Sequence, residues 1–368
     1  MNLESKYSNK TVIVTGHTGF KGSWLSIWLH MLGANVIGIS NEIPTEPSNF
    51  KANNLTEIIT DLRLNIEDES KVREIIKKYN PDYIFNLAAQ SLVRESYFSP
   101  LKTFKTNAIG SANILNSVRD FKKRINCIMI TSDKVYRNYE LKRGYKEDDL
   151  IGGKDPYSAS KGMAELIIYS FYQSYFNDSE FVRLSVGRAG NVIGGGDWAN
   201  DRVVPDGIRA WSGSEILKLR NPNSTRPWQH VLEPISGYLL LGALLDENQK
   251  LNGENFNFGP PEENDFSVKE LIEQMAKYWE NAKWKKEDSI VKAQMKEAGL
   301  LKLDCSKSFD LLNWKPVLSF DDTARMTASW YLEFYKKNNT SMLDYTMSQI
   351  EEYSKLAKKK HVIWSYND

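Results

Sequence analysis

The sequence has no excess of charge of either sign, little cysteine and no long apolar run. The 48 lysines and arginines balance the 47 aspartates and glutamates, which argues against a nucleic-acid or anionic-membrane partner recognised through bulk charge. The two cysteines, Cys127 and Cys305, have no metal-ligand spacing and fit a reducing cytoplasm better than a disulfide framework. No apolar run reaches the roughly 18 residues that a membrane span needs, so we expect no membrane segment. The cysteine spacing gives no reason to expect a metal site, and we predict none.

Repeats, low-complexity tracts and long linkers are also absent. The 368 residues exceed what one hydrophobic core usually serves, so we expect two lobes. Apolar strand-like runs at 11–15 and 35–40 flank a helical pattern at 21–32, and EIITDL, YIFNLAA and NCIMITS continue the strand series between amphipathic helices. This alternation predicts an α/β fold with a parallel sheet covered by helices on both faces.

The second half of the chain has a different pattern. After about residue 188 it becomes irregular, and helical segments dominate from Val268 onward. We therefore assign a nucleotide-binding domain to 1–187 and a smaller, mostly helical substrate-binding lobe to 188–368. Segments around 230–260 still mix strand and helix, so we expect them to return to the first domain.

The segment TGHTGFKG carries three glycines directly after the first predicted strand and at the start of a predicted helix. Gly16, Gly19 and Gly22 allow a sharp turn and a close approach of backbone N–H groups to a pyrophosphate, although an ordinary tight turn also uses glycines. The order of strand, glycines and helix favours a Rossmann-type dinucleotide site. The expected cofactor contacts are Gly16, Thr18, Gly19, Phe20, Lys21, Gly22, Asp61, Leu62, Leu87, Ala88, Ala89, Tyr157 and Lys161.

The second predicted strand lacks the acidic residue that normally holds the adenosine ribose. It ends Ser40-Asn41-Glu42, where Glu42 is late for that role, and no arginine follows to favour a 2′-phosphate. NAD is therefore favoured over NADP. Asp61 either bonds the adenine amine or caps a helix, and the backbone of Ala88 and Ala89 either lines the cofactor pocket or packs beneath a helix.

The segment YSASK places Tyr157 and Lys161 four residues apart, on one face of a predicted helix. A free tyrosine has a pKa of about 10, and a nearby ammonium and a positive nicotinamide ring favour its phenolate. A solvated pair is the alternative interpretation. With Ser132 at the end of an intervening strand, the set suits removal of a sugar hydroxyl proton while hydride leaves to NAD.

Several longer segments resemble the extended short-chain dehydrogenase/reductases, and within them the nucleotide-sugar 4,6-dehydratases. The resemblance covers nearly the whole chain and is carried by TGHTGFKGSWLSIWL, TSDKVY, GGKDPYSASKGMAEL, GRAGNVIGGGDW and RPWQHVLEP. It implies a two-lobed fold, tightly held NAD and deoxysugar synthesis for surface polysaccharide. CDP-glucose is the expected substrate; dTDP-, GDP- or UDP-linked hexoses, a 4-epimerase, a reductase and a non-catalytic module are the alternatives.

The strand INCIMI is followed by Ser132, Asp133 and Lys134. A 4-epimerase needs no proton-transfer groups after the serine, whereas a dehydratase must take the C5 proton and protonate O6. By the resemblance, Asp133 is the acid, and Lys134 takes the position of a glutamate in dTDP-glucose 4,6-dehydratases, so that the base role passes to it. Because the residue type differs, the division of the two proton transfers between Asp133 and Lys134 stays open. The alternative is a local ion pair that supports the loop.

Substrate contacts are expected mainly in the second half. Arginine side chains suit a diphosphate but are also ordinary surface charge, and aromatic side chains wall a base or form core. By resemblance, the asparagine in GRAGN and the RPWQHV loop contact substrate. The predicted substrate residues are Gln90, Asn191, Trp198, Arg202, Arg220, Arg226 and His230.

The run LIIYSFYQSYF follows the YSASK segment and has an apolar helical face. We expect this face to pack against a second copy of the chain. The resulting prediction is a homodimer or homotetramer built on helix packing.

Overall fold

A computed structural model describes residues 1–261, 264–287, 300–336 and 340–365. The strands are β1 Thr11–Thr15, β2 Asn35–Ser40, β3 Thr60–Arg63, β4 Tyr83–Asn86, β5 Ile125–Ile130, β6 Val182–Ala189, β7 Val192–Ile193, β8 Leu217–Leu219, β9 Thr225–Arg226, β10 Gln229–His230, β11 Asn255–Phe258, β12 Phe266–Ser267 and β13 Trp284–Lys286. The α-helices are α1 Leu3–Tyr7, α2 Phe20–Met31, α3 Asn49–Ala52, α4 Glu69–Tyr79, α5 Val93–Phe98, α6 Pro100–Phe104, α7 Gly110–Val118, α8 Pro156–Phe171, α9 Val203–Ser212, α10 Leu232–Glu247, α11 Val268–Ala276, α12 Ser306–Leu312, α13 Phe320–Tyr335 and α14 Met342–Lys359.

Seven of the described strands build one large parallel sheet, in the order β11-β6-β5-β4-β1-β2-β3, and the other six form the two-stranded pairs β7–β10, β9–β12 and β8–β13. Successive side chains of a strand point to opposite faces. Val12 and Val14 accordingly join one apolar cluster with Trp24 of α2, while Ile13 joins a second cluster with Ile76 of α4. The predicted α/β class, with helices on both faces of a parallel sheet, is confirmed.

Three predicted strands were wrong at one end by a few residues. YIFNLAA was expected to continue through Ala89, but β4 ends at Asn86. EIITDL was expected to form one strand, but a 3-10 turn covers Leu55–Glu57 and β3 begins only at Thr60. NCIMITS was expected to continue through Ser132, but β5 ends at Ile130. The chain turns there because the Ser132 hydroxyl accepts a hydrogen bond from the Lys134 N–H and starts a 3-10 turn.

The second half returns to the sheet through α10 and β11, and β11 pairs in parallel with β6. Glu233, buried on α10, accepts hydrogen bonds from the backbone of Val317 and Leu318 and from the Tyr353 hydroxyl, which fastens the C-terminal helices to the core. The division into lobes at 187/188 stays a prediction. Among the described helices, none is long and apolar enough to cross a membrane.

Candidate active site

The glycine loop between β1 and α2 is packed against the end of β4. Gly16 has a φ of +73°, and a Cβ added there would lie 2.8 Å from the Ala88 nitrogen. A Cβ on Gly22 would lie 2.1 Å from the Gly16 carbonyl oxygen. These two positions need glycine because backbone meets backbone. Ala88 is held there by a hydrogen bond from its N–H to the Thr15 hydroxyl.

Gly19 differs from the other two glycines. A Cβ added to it would meet only the Gly16 carbonyl oxygen, at 3.3 Å, and would otherwise project into open space. Gly19 is also the N-cap of α2, and no side chain caps this helix. An open approach to uncapped N–H groups at a helix N-terminus fits the pyrophosphate of a dinucleotide.

His17, which the sequence reasoning missed, occupies the end of the loop near β2. Its ring is fully buried, with Nε2 2.9 Å from Asp61 Oδ1, and burial lowers the pKa of His17 despite the nearby carboxylate. Arg63 donates two hydrogen bonds to Asp61 Oδ2 and lies opposite Ser40 in the β2–β3 register. An arginine thus reaches the end of β2 from the neighbouring strand. The adenine contact of Asp61 stays a prediction.

The other predicted cofactor residues surround the same strand ends. The Thr18 hydroxyl donates to the Glu42 carbonyl, so it fixes the loop to the segment after β2. Lys21 Nζ lies 3.5 Å from the Tyr238 hydroxyl. Phe20, Leu62 and Leu87 are partly buried against the apolar clusters. Cofactor contact by these residues stays a prediction, as it does for Ala89.

Ser132, Asp133 and Lys134 form a compact cluster where β5 ends. The Ser132 hydroxyl donates to Asp133 Oδ1 at 2.8 Å, and Lys134 Nζ donates to Asp133 Oδ2 at 3.2 Å. Asp133 is buried while Lys134 keeps a quarter of its side chain exposed. Tyr157, at the start of α8, lies close enough to the Ser132 side chain for that group to lower its pKa. The structure therefore brings the predicted hydride-transfer and proton-transfer groups into one site.

Burial dominates the acid–base behaviour of this site. It raises the pKa of Tyr157 to about 12 and outweighs the Ser132 hydrogen bond, which lowers it. It lowers the pKa of Lys161 to about 8, against the opposing charge of Glu165, and lowers the pKa of Lys21 to about 8 with help from Lys161. The phenol therefore keeps its proton at neutral pH until a further positive charge or a bound hydroxyl favours the phenolate.

A buried ion pair below the site was also missed. Arg188 of β6 is fully buried and makes two hydrogen bonds, of 2.9 and 3.0 Å, to the carboxylate of Glu165 on α8. The Thr131 hydroxyl, just before Ser132, donates to Glu165 at 2.6 Å. Arg188 also donates to the Tyr136 hydroxyl, after Lys134. A charged residue inside an apolar strand was the available signal, because such groups are rarely buried unpaired.

Asn107 joins the loop after β4 to the catalytic helix. Its amide donates to Ser160 Oγ at 2.8 Å and to the Gln90 carbonyl, and it accepts from the Gln90 N–H. The Gln90 side chain closes the same loop through Leu92 and Thr103. Substrate contact by Gln90 stays a prediction.

The predicted substrate residues are spread unevenly. The charge of Arg202 lowers the pKa of Tyr157, so the two residues lie in the same region, and Arg202 also pairs with Asp197 at 2.8 Å. Arg220 lies at the exposed surface, 3.6 Å from Asp201. Arg226 is on β9.

Two of the predicted aromatic contacts lie in the core. Trp198 is buried among the rings of α13, and its indole N–H donates to the Tyr335 hydroxyl. His230 is fully buried edge-on against Trp24, where burial lowers its pKa to about 3. Substrate contact by these residues, and by Asn191, stays a prediction.

The parallel sheet, the open glycine loop and the clustered serine, tyrosine and lysine define a short-chain dehydrogenase/reductase. The chain belongs to the family described as GDP-mannose 4,6 dehydratase, whose model matches residues 13–327. The expected membership of the nucleotide-sugar dehydratases is thereby confirmed. No cluster of three or more potential metal-ligating side chains occurs in the described ranges.

Individual relatives agree with this assignment. The chain is 40% identical to CDP-glucose 4,6-dehydratase of Salmonella typhimurium, over 94% of this chain and 97% of that protein. A UDP-glucose 4-epimerase structure from Stenotrophomonas maltophila has a TM-score of 0.76 at 19% identity, and the match covers 90% of this chain and 100% of that chain. A dTDP-glucose 4,6-dehydratase structure from Bacillus anthracis has a TM-score of 0.73 at 19% identity, and the match covers 89% of this chain and 98% of that chain. Both structures contain NAD, the expected cofactor.

Replacing Glu165 with Gln is expected to destabilise the protein by roughly 3–5 kcal/mol, because Arg188 keeps its buried charge without a partner. Since Glu165 raises the pKa of Lys161, its loss lowers that pKa further. Lys161 then loses its proton at lower pH, so the alkaline limb of the pH–rate profile moves down. Denaturant unfolding and a pH–rate series measure the two effects.

The matched control is Glu69→Gln, which breaks an exposed pair with Arg73 within α4. It should change neither the free energy of unfolding nor the pH–rate profile appreciably. If Glu165→Gln does not fold, Thr131→Val is used instead, because it removes only the hydroxyl that donates to Glu165 and leaves the ion pair in place. An unchanged pH profile in both Glu165→Gln and Thr131→Val contradicts the link to Lys161.

Proposed function

We propose that this protein is an NAD-dependent CDP-glucose 4,6-dehydratase that forms CDP-4-keto-6-deoxyglucose. The observation that carries the proposal is the Asp133–Lys134 pair, 3.2 Å apart and adjoining Ser132 and Tyr157. A hydride-transfer set alone suits an epimerase or a reductase, whereas elimination of water needs an acid and a base beside it. The 40% identical relative carries the CDP-glucose 4,6-dehydratase name.

The residues of the glycine loop fit the cofactor, which supplies a hydride acceptor for C4 and returns the hydride to C6. Tyr157 takes the proton of the C4 hydroxyl while Ser132 hydrogen-bonds the same oxygen. Lys161, held on the same helix face, keeps positive charge near the phenol. Once C4 is a ketone, Lys134 removes the acidified C5 proton and Asp133 protonates the departing O6.

The Asp133–Lys134 pair resolves a difficulty in this scheme. A charged lysine is no base and a charged aspartate is no acid. Moving one proton from Lys134 Nζ to Asp133 Oδ2 along their hydrogen bond converts both groups at once. Substrate that displaces water from Lys134 favours this neutral form, because desolvation penalises separated charges.

The function is tested by incubating the protein and NAD with CDP-, dTDP-, UDP- and GDP-glucose in heavy water. A 4-keto-6-deoxy product from CDP-glucose with deuterium at C5 is expected, because the C5 proton returns from a group that exchanges with solvent. The same product from another nucleotide sugar overturns only the choice of nucleotide. A C4 epimer without label at C5 overturns the dehydratase assignment.

Replacing Lys134 with Met should slow elimination by about 100-fold or more, since positioned general bases contribute about 10²–10⁴. Oxidation at C4 does not use Lys134, so a single-turnover rise in NADH absorbance should remain. The control is Lys146→Met, which removes an exposed lysine from a looser pair with Asp304. Equal elimination rates in the wild type and Lys134→Met rule out the base role.

We further propose a homodimer, with each catalytic helix packed against its partner. Leu166 and Tyr169 of α8 are 60% and 62% exposed, and Phe98 and Leu101 beside α8 are each 73% exposed. These four side chains are here called the α8 patch. Large apolar side chains clustered on neighbouring helices are typical of a protein interface.

Replacing Leu166 with Lys places a charge in the α8 patch and should shift the protein to monomer at micromolar concentration. Sedimentation velocity measures the change. Leu311→Lys is the control, because Leu311 is similarly exposed, at 54%, on the separate helix α12. A wild-type monomer, or dissociation by both variants, contradicts the proposed interface.

We also propose a cytoplasmic location and a role in deoxysugar synthesis for surface polysaccharide. The support is the proposed nucleotide-sugar substrate together with two free cysteines, one of them buried.

A further inference from the structure

A cavity opens directly beside Asp133, at the acid side of the proposed elimination. It is a small pocket that is partly open to solvent. Its lining residues come from both halves of the chain and are Asp133, Gly190, Pro227, Gln229, Gly259, Pro260, Pro261, Leu301, Lys302 and Leu303. The three prolines have no N–H to donate, and the leucines are apolar. Apart from Lys302, whose ammonium pairs with Asp265 at 3.1 Å, the wall offers few side-chain hydrogen-bond donors.

Gln229 lines this cavity and carries a buried acceptor without a partner. Its side chain is nearly inaccessible, at 2% exposure, and its Nε2 donates to the Phe258 carbonyl at 3.1 Å. Since a carbonyl only accepts, this bond fixes which end of the amide is nitrogen. Oε1 is then the remaining polar atom, and it has no hydrogen-bond partner within the described part of the chain. A buried acceptor without a donor is rare in folded proteins.

We propose that Gln229 positions the leaving group: its Oε1 accepts a hydrogen bond from the O6 hydroxyl of the hexose. The inference rests on the proposed function, which places O6 next to Asp133. The occupant of the cavity must bring a donor, and each sugar hydroxyl is one. When the O6 hydroxyl donates its hydrogen bond to Gln229 Oε1, a lone pair of O6 stays free to face Asp133.

The elimination then balances without any further reactant. The base takes the C5 proton, the C5–H electron pair forms the C5–C6 double bond, and the C6–O6 bond breaks. O6 takes the proton of Asp133 and leaves as water, still donating to Gln229. Gln229 thus holds one oxygen as hydroxyl and afterwards as product water, and it acts by orientation rather than by proton transfer.

The test compares two substrates that differ only at C6. Gln229→Met keeps the side-chain length but removes the acceptor. It should lower kcat/KM for CDP-glucose by about 10-fold or more, the value of roughly one hydrogen bond. CDP-6-deoxy-6-fluoroglucose has no O6 proton to donate. The rate of fluoride release from this analogue should therefore change by less than about threefold in Gln229→Met. Removing the acceptor and removing the O6 proton abolish the same hydrogen bond, so the second change adds little to the first.

Gln349→Met is the matched control. Gln349 is also buried, its Nε2 also donates to a backbone carbonyl, that of Met326, and its Oε1 also has no described partner, but it lies on α14. It should reproduce any loss of thermal stability without changing either kcat/KM. Equal losses for both sugars in Gln229→Met, or equal behaviour of the two variants, overturn the proposal.

Failure of the proposed function gives a different result. If the wild type converts another nucleotide-linked hexose, the same pair of C6 variants is made on that nucleotide and the comparison stands. If the wild type releases neither water nor fluoride from any of them, both the dehydratase assignment and the role of Gln229 are overturned.

Discussion

The buried ion pair between Glu165 and Arg188 sets the geometry of the whole site. A pair removed from water is tolerated only when its remaining hydrogen-bonding groups are also satisfied. Here Thr131 from the end of β5 and Tyr136 from the following loop complete it. The residues between them, 132–135, include the groups that carry the chemistry. The requirement to satisfy one buried charge therefore fixes the loop that carries Ser132, Asp133 and Lys134.

The same pair also influences the charge of the site. Glu165 lies one helical turn after Lys161, and its carboxylate raises the pKa of that lysine while burial lowers it. Without that carboxylate, burial would lower the pKa of Lys161 further. The structural ion pair therefore favours the charged form of Lys161.

Most of the fold could be predicted because its strands are short apolar runs with turn signals at their ends. The placement of Tyr157 and Lys161 on one helix was predictable from their spacing. What escaped prediction depends on partners distant in sequence, such as His17 with Asp61, or Arg188 with Glu165. The three loop glycines likewise look equivalent in sequence, although Gly16 and Gly22 relieve backbone contacts and Gly19 leaves room for a ligand.

Adjacent residues of RPWQHVLEP show why a motif alone does not assign roles. Gln229 and His230 form the short strand β10, and consecutive strand residues point to opposite sides. His230 faces the core at Trp24, whereas Gln229 faces the cavity beside Asp133. Its amide is oriented by the Phe258 carbonyl at the end of β11. The return of β11 to the sheet therefore does more than extend it, because the β6–β11 pairing also places the carbonyl that holds the Gln229 amide.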